Sequence, residues 1–262
     1  MDAKLMEISV VIPYYNSPKS ILKALDSVSQ QTLLPREVII VDDGSDLDKS
    51  IQFLQVQKNN YPFELKLIYH KKNLGAPSAR NNGIREAIYD YIAFLDADDC
   101  WLETKLENQA RAIGNYDLLY ANYTEEMAKA ESSINSQPVV RAVSYLDILK
   151  KNLSPVTLIV KRKGIVLFDE RFRRCDDFKM SIEALAIGNK IGFLDMNVSY
   201  GFKKAIGGGG LTKSLLKMSL SYLKACLYLI FEYPKLTFVI ILFILFEIIK
   251  FPIRCLKVYL LS

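Results

Sequence analysis

The chain has 262 residues, of which 50% are hydrophobic and 24% charged, enough for one large α/β domain with an appendage. It contains no stripe of basic and aromatic residues, so we expect no nucleic-acid binding. Its first apolar run is far too short for a secretory signal. The four cysteines have no paired spacing, so we expect reduced thiols in a cytosolic protein.

The net charge of +5 conceals an asymmetry between the two parts of the chain. Nine basic residues and only two acids follow residue 202, so this tail carries +7 and the preceding residues carry −2. The basic excess therefore lies in the most apolar part of the chain. A basic and apolar tail favours an anionic membrane surface over nucleic acid as its partner.

Predicted strands and helices alternate through the first 200 residues. Continuous apolar runs at 8–12 and 37–41 indicate strands that are buried on both faces, as in a parallel sheet. Further strands are predicted at 65–69, 91–95, 117–121, 156–161 and 190–194, and helices at 18–31, 47–57, 78–88, 102–113, 143–150 and 178–186. This order is typical of an α/β domain with a doubly wound, mainly parallel sheet flanked by helices. Residues 124–138 are expected to form a surface loop, and four glycines at 207–210 suggest a domain boundary between 1–206 and 207–262.

Polar side chains follow three of the predicted strands at the point where each strand ends. Ligands bind at the carboxyl ends of the strands in such a sheet, so these residues are expected to share one crevice. Clustered carboxylates repel one another unless a cation offsets them, so the acids at 96–99 predict a divalent-metal site that brings a substrate diphosphate. The alternative for this group is a solvated turn, where Asp is common. The three groups are Tyr14, Tyr15 and Asn16, then Asp42 and Asp43, then Asp96, Asp98 and Asp99.

Four short segments combine these polar residues with the strands and turns around them. They read Val-Val-Ile-Pro-Tyr-Tyr-Asn at 10–16, Ile-Ile-Val-Asp-Asp-Gly-Ser at 39–45, Asn-Leu-Gly at 73–75 with Ala-Arg-Asn-Asn-Gly-Ile at 79–84, and Phe-Leu-Asp-Ala-Asp-Asp at 94–99. In this order and spacing the chain resembles the family 2 inverting glycosyltransferases, which have the GT-A fold. The resemblance covers roughly residues 7 to 205 and implies a nucleotide-sugar donor.

The resemblance assigns the first two segments to the donor nucleotide. It implies that Asp43 accepts a hydrogen bond from a uracil ring N–H; the alternative is that Asp42 or Asp43 caps the next helix. Pro13 opens the backbone toward the base, and Asn16 belongs to the same substrate site. Tyr15 either stacks on the base or packs in the core.

The other two segments are assigned to the diphosphate and the metal. Asp98 is expected to ligate Mn²⁺ or Mg²⁺, Asp96 to approach the ribose or a metal-bound water, and Asp99 to support the site. Arg80 presents a planar charged fork to phosphate oxygens, or alternatively forms a surface salt bridge.

An inverting transfer also needs one base that deprotonates the acceptor hydroxyl. The family places this base in an acidic pair before a helix, and Asp176 and Asp177 occupy that position here. By order Asp177 is the catalytic base, and the alternative is that both acids are helix N-caps. The first acid is Asp where the family usually has Glu.

Three other polar positions receive expectations from their surroundings. The only histidine, His70, is expected to be an ordinary surface residue, and Trp101 is expected to pack beside the metal loop. Lys203 and Lys204 stand where relatives carry a diphosphate ligand, and they either serve that role or contact lipid head groups.

The tail is predicted to form helices that lie on a membrane. Residues 213–233 carry a narrow polar stripe beside a wide apolar face, and 236–246 are apolar except for Thr237. The uninterrupted apolar core is shorter than a spanning helix requires, and Pro252 is expected to kink the chain. These features favour amphipathic interfacial helices or a shallow hairpin over packing against a partner chain or true spanning.

The sequence thus predicts a metal-dependent inverting glycosyltransferase that moves one sugar from a nucleotide-sugar donor, UDP-linked by the resemblance, to a lipid-linked or saccharide acceptor. The expected setting is cell-surface polysaccharide or lipopolysaccharide synthesis, at the cytoplasmic side of the cell membrane as a peripheral protein. A polyprenyl-phosphate glycosyltransferase and a non-catalytic membrane-surface scaffold with the same fold are the alternatives.

Overall fold

The computed structural model describes residues 6–55, 60–124, 139–151, 153–201 and 215–261, the last with side chains to 256. The predicted domain boundary, Lys203, Lys204 and all but the first residue of the predicted loop at 124–138 lie outside the described residues.

The described residues form one mixed sheet with helices on both faces. Its strands are β1 Ile8–Tyr14, β2 Glu37–Asp42, β3 Glu64–Tyr69, β4 Tyr91–Phe94, β5 Asp99–Trp101, β6 Leu118–Thr124, β7 Val140–Ala142, β8 Ile159–Lys161 and β9 Ile191–Gly201. The helices are α1 Pro18–Ser29, α2 Ala76–Glu86, α3 Lys105–Ala112, α4 Tyr145–Lys150, α5 Asp176–Ala186, α6 Leu215–Glu232 and α7 Thr237–Leu261.

The strand order is β3-β2-β1-β4-β8-β6-β9-β5, with β7 paired to β9. Strands β1 to β4 pair in parallel, as the continuous apolar runs predicted. Strand β8 is antiparallel to both β4 and β6, and β5 is antiparallel to β9, so the other half of the sheet is mixed. The predicted α/β fold with a sheet flanked by helices is confirmed.

Alternate residues of β1 face two separate cores, which explains why the strand is mostly apolar on both faces. Val10 and Ile12 join a core under α1 and α3. Val11 joins a second core formed with α2 and α5, and this core also contains Cys226, Leu229, Ile240 and Phe243 from the tail helices. The tail therefore packs on the same sheet face as the two helices that carry Arg80 and the acidic pair.

Two predicted elements differ from the structure for identifiable reasons. The predicted helix at 47–57 is replaced, in its described part, by the short 3₁₀ turns Leu47–Lys49 and Ile51–Gln55. The Asp42 carboxylate accepts hydrogen bonds from the backbone N–H groups of Ser45 (3.0 Å) and Ile51 (3.2 Å), which hold this segment against the strand end. Strand β1 also continues through Pro13, because its neighbour β4 pairs only as far as Val11 and needs no N–H donor there.

The tail helices α6 and α7 form a hairpin joined by the turn Pro234–Leu236. Helix α7 runs unbroken through Pro252, and its 25 residues extend to about 37 Å at ~1.5 Å per residue. Pro252 thus does not end the helix, and the prediction that this segment is too short to span is wrong. The stretch Pro234–Leu256 has a mean hydropathy of 2.5 and could cross a membrane by length and composition alone.

Candidate active site

The three polar strand ends lie at one edge of the sheet. Strands β2 and β4 flank β1 on either side, and all three run in the same direction. Tyr14 is opposite Asp42 in the register of β1 and β2, and Val11 is opposite Phe94, two residues before Asp96. Parallel pairing therefore brings residues 14–16, 42–43 and 96–99 to a common edge.

Asn16 ties the end of β1 to the loop that follows β2. It has a left-handed backbone with φ 49°, a conformation that Asn adopts more readily than most residues. Its Oδ1 accepts a hydrogen bond from the Asp46 N–H at 3.0 Å, and its backbone N–H donates to Ser45 Oγ at 2.9 Å. The neighbouring Tyr15 is 47% exposed, so it is not a core aromatic, and its ring is accessible at the strand end beside the half-buried Pro13.

Both acids of the Asp42–Asp43 pair accept hydrogen bonds from backbone N–H groups. The buried carboxylate of Asp43 accepts hydrogen bonds from the N–H groups of Leu74 (2.9 Å) and Gly75 (2.7 Å). It thereby joins the end of β2 to the start of α2. Each carboxylate oxygen has two lone pairs, so Asp43 keeps acceptor capacity for a further donor.

His70 contradicts its prediction as an ordinary surface residue. Its side chain is 5% exposed and lies between the carboxylate of Asp43 and the amide of Asn82. Nδ1 is 2.8 Å from Asp43 Oδ1, and Nε2 is 2.6 Å from Asn82 Nδ2. Because Asn82 Oδ1 accepts from Arg85, its amide nitrogen must donate to His70, which places the ring proton on Nδ1. His70 follows β3 at the same sheet edge as Asp43, and that position was the sequence signal that could have identified it.

Helix α2 is held close to the sheet by the segment Arg-Asn-Asn-Gly at 80–83. A Cβ on Gly83 would lie 2.3 Å from Val11 Cγ1, so only glycine allows the helix to approach β1 this closely. Asn81 bonds both backbone groups of Phe168, through Nδ2 to the carbonyl (2.7 Å) and through Oδ1 to the N–H (2.9 Å). These contacts fix the height of Arg80 above the strand ends.

Arg80 connects the acid run after β4 with the acid pair at the start of α5. Its guanidinium donates to Asp96 Oδ1 at 2.7 Å and to Asp176 Oδ2 at 3.1 Å. Arg80 is 6% exposed, and its guanidinium lies 5.4 Å from the ring centroid of Phe168. Arg80 therefore forms salt bridges, as the alternative predicted, but not at the surface, because Arg80 and Asp176 are buried and Asp96 is half-buried.

The acid run continues from the end of β4 into the short strand β5. Asp98 is half-buried, and Asp99 accepts a hydrogen bond from the Tyr123 hydroxyl at 3.0 Å. Gly201 lies opposite Asp99, and a Cβ there would come within 2.6 Å of Asp99 Oδ1. Trp101 is buried behind the loop, as expected, and its Nε1 donates to the Val156 carbonyl.

The donor set at this edge suits a cation that is completed by its substrate. The described residues contain no group of three His, Cys, Asp or Glu side chains that could hold a metal. Mg²⁺ is commonly bound by one or two carboxylates together with substrate phosphates, and the carboxylate of Asp98 at the strand end fits that arrangement. Family 2 enzymes of this fold generally use a divalent metal.

Helix α5 begins with the acidic pair, after a residue in an unusual backbone conformation. Cys175 has φ 60°, which is rare for a residue other than glycine and re-aims the chain before Asp176. Asp176 is buried and receives the bond from Arg80. Asp177 is half-buried, and its Oδ1 accepts a hydrogen bond from the Phe178 N–H at 2.8 Å.

The environment of Asp177 favours a base that is active near neutral pH. Burial raises the pKa of Asp177 to about 7, and the adjacent carboxylate of Asp176 acts in the same direction. The Phe178 N–H and the Arg80 cation oppose this rise. A general base works best when its pKa lies near the operating pH.

Comparisons with known proteins agree with this arrangement. Residues 9–154 match the family model described as glycosyl transferase family 2. The chain belongs to this family. Its members in this comparison include the amylovoran biosynthesis glycosyltransferase AmsB of Erwinia amylovora, which is 30% identical over 71% of this chain and 66% of its own length.

Two further comparisons cover most of the chain. The Escherichia coli UDP-Glc:alpha-D-GlcNAc-diphosphoundecaprenol beta-1,3-glucosyltransferase WfgD is 27% identical over 70% of this chain and 71% of its own length. The crystal structure of S. aureus TarS 1-349 in complex with UDP-GlcNAc superimposes with a TM-score of 0.67 at 24% identity, covering 86% of this chain and 67% of that one. Other curated relatives are longer, and this family 2 chain spans 19% to 33% of three of them.

Proposed function

We propose that this family 2 glycosyltransferase moves one sugar, with inversion, from a UDP-linked donor to a lipid-linked or saccharide acceptor in bacterial surface-glycan synthesis. The contact between Arg80 and both Asp96 and Asp176 carries the proposal. It links the strand end proposed for the donor with the helix start proposed for the base. The name of WfgD, a relative with UDP-Glc as donor and a diphosphoundecaprenol-linked acceptor, supports the substrate classes.

In the proposed reaction, the Asp177 carboxylate takes the proton from an acceptor hydroxyl. That hydroxyl oxygen bonds to the anomeric carbon as the bond from this carbon to the donor phosphate oxygen breaks, and UDP leaves with the electron pair. Attack from the face opposite UDP inverts the anomeric centre. The raised pKa of Asp177 suits this proton transfer near neutral pH.

The donor is assigned to the edge of β1, β2 and β4. Asp43 would accept a hydrogen bond from the uracil N–H, and the exposed ring of Tyr15 would stack on the base. Pro13 and Asn16 would line the same pocket. Asp96 and Asp99 would flank the ribose and diphosphate. Asp98 would hold Mn²⁺ or Mg²⁺, whose positive charge neutralises the leaving diphosphate.

The exposed side of the tail hairpin, here called the outer face, supports a place on an anionic membrane. Of the two acids in the described tail, Glu247 is 6% exposed and pairs with Arg254, whereas Glu232 is exposed and pairs with Lys179 and Arg171. Apart from Glu232, the exposed charged residues with described side chains on the hairpin are lysines. The outer face comprises Leu216, Leu220, Leu227 and Phe231 on α6, and Phe238, Ile241, Leu245, Ile248, Ile249, Ile253 and Leu256 on α7.

We assign this surface to the cytoplasmic face of the cell membrane, with the protein attached peripherally and the acceptor lipid within reach. The division into a catalytic domain at 1–206 and a membrane-associating tail at 207–262 is part of this proposal. An apolar surface whose exposed charges are mostly cations is the composition of an interfacial helix.

The test uses the full chain with UDP-glucose and a synthetic GlcNAc-diphospholipid, with and without Mn²⁺. We expect metal-dependent release of UDP and a glycosylated lipid, both abolished in Asp177→Asn. Asp195→Asn, an exposed acid of β9, is the matched control and should leave turnover unchanged. Failure of a panel of nucleotide sugars to release a nucleotide or to raise the melting temperature would instead favour a non-catalytic scaffold.

A further inference from the structure

The guanidinium of Arg80 already binds carboxylates of the protein, unlike an arginine that is free to bind a substrate anion. One terminal nitrogen donates to Asp96 and the other to Asp176, and the residue is 6% exposed. Its Nε is also buried and has no hydrogen-bond partner in the structure. The fork is therefore already committed to two carboxylates of the protein.

These two carboxylates belong to segments that are far apart in the sequence. Asp96 ends β4, and Asp176 begins α5, 80 positions later in the sequence. Two carboxylates that share one guanidinium would repel each other without a cation between them. Arg80 replaces this repulsion with two charge-assisted hydrogen bonds of defined direction.

The guanidinium is also fixed from behind. Asn81 and Gly83 set the height of α2, as described above, and the Arg80 guanidinium packs over the ring of Phe168 at 5.4 Å. That ring meets Phe94 of β4 edge-on at 5.5 Å between centroids. The bridge from Asp96 through Arg80 to Asp176, here called the tie, is therefore supported by β4 at one end and by the packed core beneath it.

The charges around Arg80 agree with this geometry. Asp96, Asp176 and Asp177 all act on Arg80, and together they hold its pKa above the ordinary value against the effect of burial. The cation is thus permanent, and it is the group through which the donor side and the base side of the site contact each other.

We propose that Arg80 is a positioning residue that ties Asp96 to Asp176 and so sets where the base Asp177 stands relative to the donor. This inference rests on the proposed function for its catalytic consequence. The structural part of the inference, that Arg80 and Asp176 are energetically coupled, does not rest on the proposed function. A ligand of the donor diphosphate would act on substrate binding, whereas a positioning residue acts on turnover.

The first experiment compares Arg80→Lys with the wild type, with Arg85→Lys as the matched control. Arg85 lies on the same helix and is exposed, pairing with Glu170 at 3.6 Å. Lysine keeps the charge but lacks the planar fork, so it cannot reproduce the two hydrogen bonds of defined direction that leave from separate nitrogens. We expect turnover of UDP-glucose to fall about 100-fold, the loss typical of a misplaced catalytic group. The KM for UDP-glucose and the calorimetric dissociation constant for UDP should stay within about threefold.

The second experiment is a thermal double-mutant cycle with Arg80→Met, Asp176→Asn and the double variant. Removing the cation alone leaves buried carboxylates unpaired, and should lower the melting temperature by about 6 to 15 °C. Removing the Asp176 charge as well should restore at least half of that loss. The cycle needs no substrate and measures the tie directly.

Two results would overturn the inference. One is an additive cycle, in which Asp176→Asn recovers nothing in the Arg80→Met background. The other is a rise of tenfold or more in the UDP dissociation constant of Arg80→Lys with unchanged turnover, which would make Arg80 a diphosphate ligand. If the wild type neither binds UDP nor turns over a donor, the proposed function fails, while the thermal cycle still decides whether the tie exists.

Discussion

Asp177 combines a raised pKa with a position at the first turn of a helix that a second core holds in place. The two causes of the shift are burial and the adjacent carboxylate of Asp176. Arg80 binds Asp176 and leaves Asp177 without a direct ion pair from that cation. Asp176 is therefore held by an ion pair with Arg80, while Asp177 is able to exchange a proton.

The sequence predicted the acids of the site and missed the contacts between them. A strand end fixes the direction of its side chains, so Asp43, Asp96 and Asp98 could be placed on one edge from local pattern alone. The partner of Arg80 lies 96 residues away at Asp176, and no local pattern reports such a contact. His70 follows β3 at the same edge, which was a usable signal, but its burial depends on the distant contact with Asn82 of α2.

The pH dependence of the reaction should follow the protonation of Asp177. Below its pKa of about 7 this carboxyl carries a proton and cannot accept another. The specificity constant kcat/KM should therefore fall about tenfold for each pH unit below 7 and level off above it. A pH–rate profile on UDP-glucose measures this; a rate that stays constant between about pH 5.5 and 8 would contradict the assignment.

The same carboxyl should cost stability at high pH. Its pKa rises from 3.8 in the unfolded chain to about 7 in the folded one, so the folded state holds a proton that the unfolded state releases between these values. Stability from this group is therefore lost as the pH rises through 7. Asp177→Asn should raise the melting temperature at pH 8 and change it little at pH 4. Asp195→Asn, the control, should show no such pH-dependent gain.

Among the elements, the helices and strands with a clear apolar period were predictable, and those set by distant contacts were not. The turns at 47–55 follow the cap by Asp42, and β5 and β7 have only three residues each, too few for a period to show. Helix α7 crosses Pro252, where a local rule predicts a break. Packing against α6 outweighs that local preference, because Phe243 and Ile240 of α7 are fully buried.

The tail hairpin supports the helix that carries Asp177. Phe178, next to Asp177, stacks on Tyr222 at 4.4 Å and meets Phe243 at 5.7 Å. Lys179 has a side chain that is 1% exposed and donates to Glu232 of α6 at 2.7 Å. Deleting the tail would expose these groups, so loss of activity in a truncated chain would not by itself demonstrate a membrane role.

Two phenylalanines five residues apart on α7 test this docking. Phe243 is fully buried against α5, while Phe238 is 74% exposed. Phe243→Ala should lower the free energy of unfolding by about 3 to 5 kcal/mol, as expected for a core aromatic. Phe238→Ala should change it by less than about 0.5 kcal/mol. Chemical denaturation of the two variants gives the comparison, and equal losses would show that the hairpin is not docked as described.

At the scale of the whole molecule, the order of the motifs predicted the fold, but the sequence did not predict how the tail packs on the sheet. Alternating strands and helices predicted the parallel half of the sheet, and the four segments predicted the family. The basic and apolar composition of the tail predicted an interfacial surface, but so wide an apolar face does not reveal which part of it is buried. Only the packed structure separates the inner side, with Ser219, Cys226 and Phe243, from the outer face.

The outer face should bind vesicles that contain anionic lipid. Leu220 on α6 and Ile248 on α7 are 57% and 56% exposed, and Ile88 at the end of α2 is 57% exposed on the catalytic domain. Leu220→Asp and Ile248→Asp place a charge in the surface assigned to lipid, so each should weaken binding to phosphatidylglycerol-containing vesicles about tenfold or more. Ile88→Asp, matched in exposure and chemistry, should bind as the wild type does.

Sedimentation with vesicles, with and without phosphatidylglycerol, separates a membrane partner from a second copy of the chain. A bilayer partner predicts binding that weakens as salt rises, because exposed lysines contribute to it. A second copy predicts a dimer in light scattering that the same two Asp substitutions dissociate, with no vesicle binding. Because the hairpin packs directly on α5, a chain bound through its outer face would carry Asp177 close to the bilayer, where the diphosphate of a lipid-linked acceptor lies.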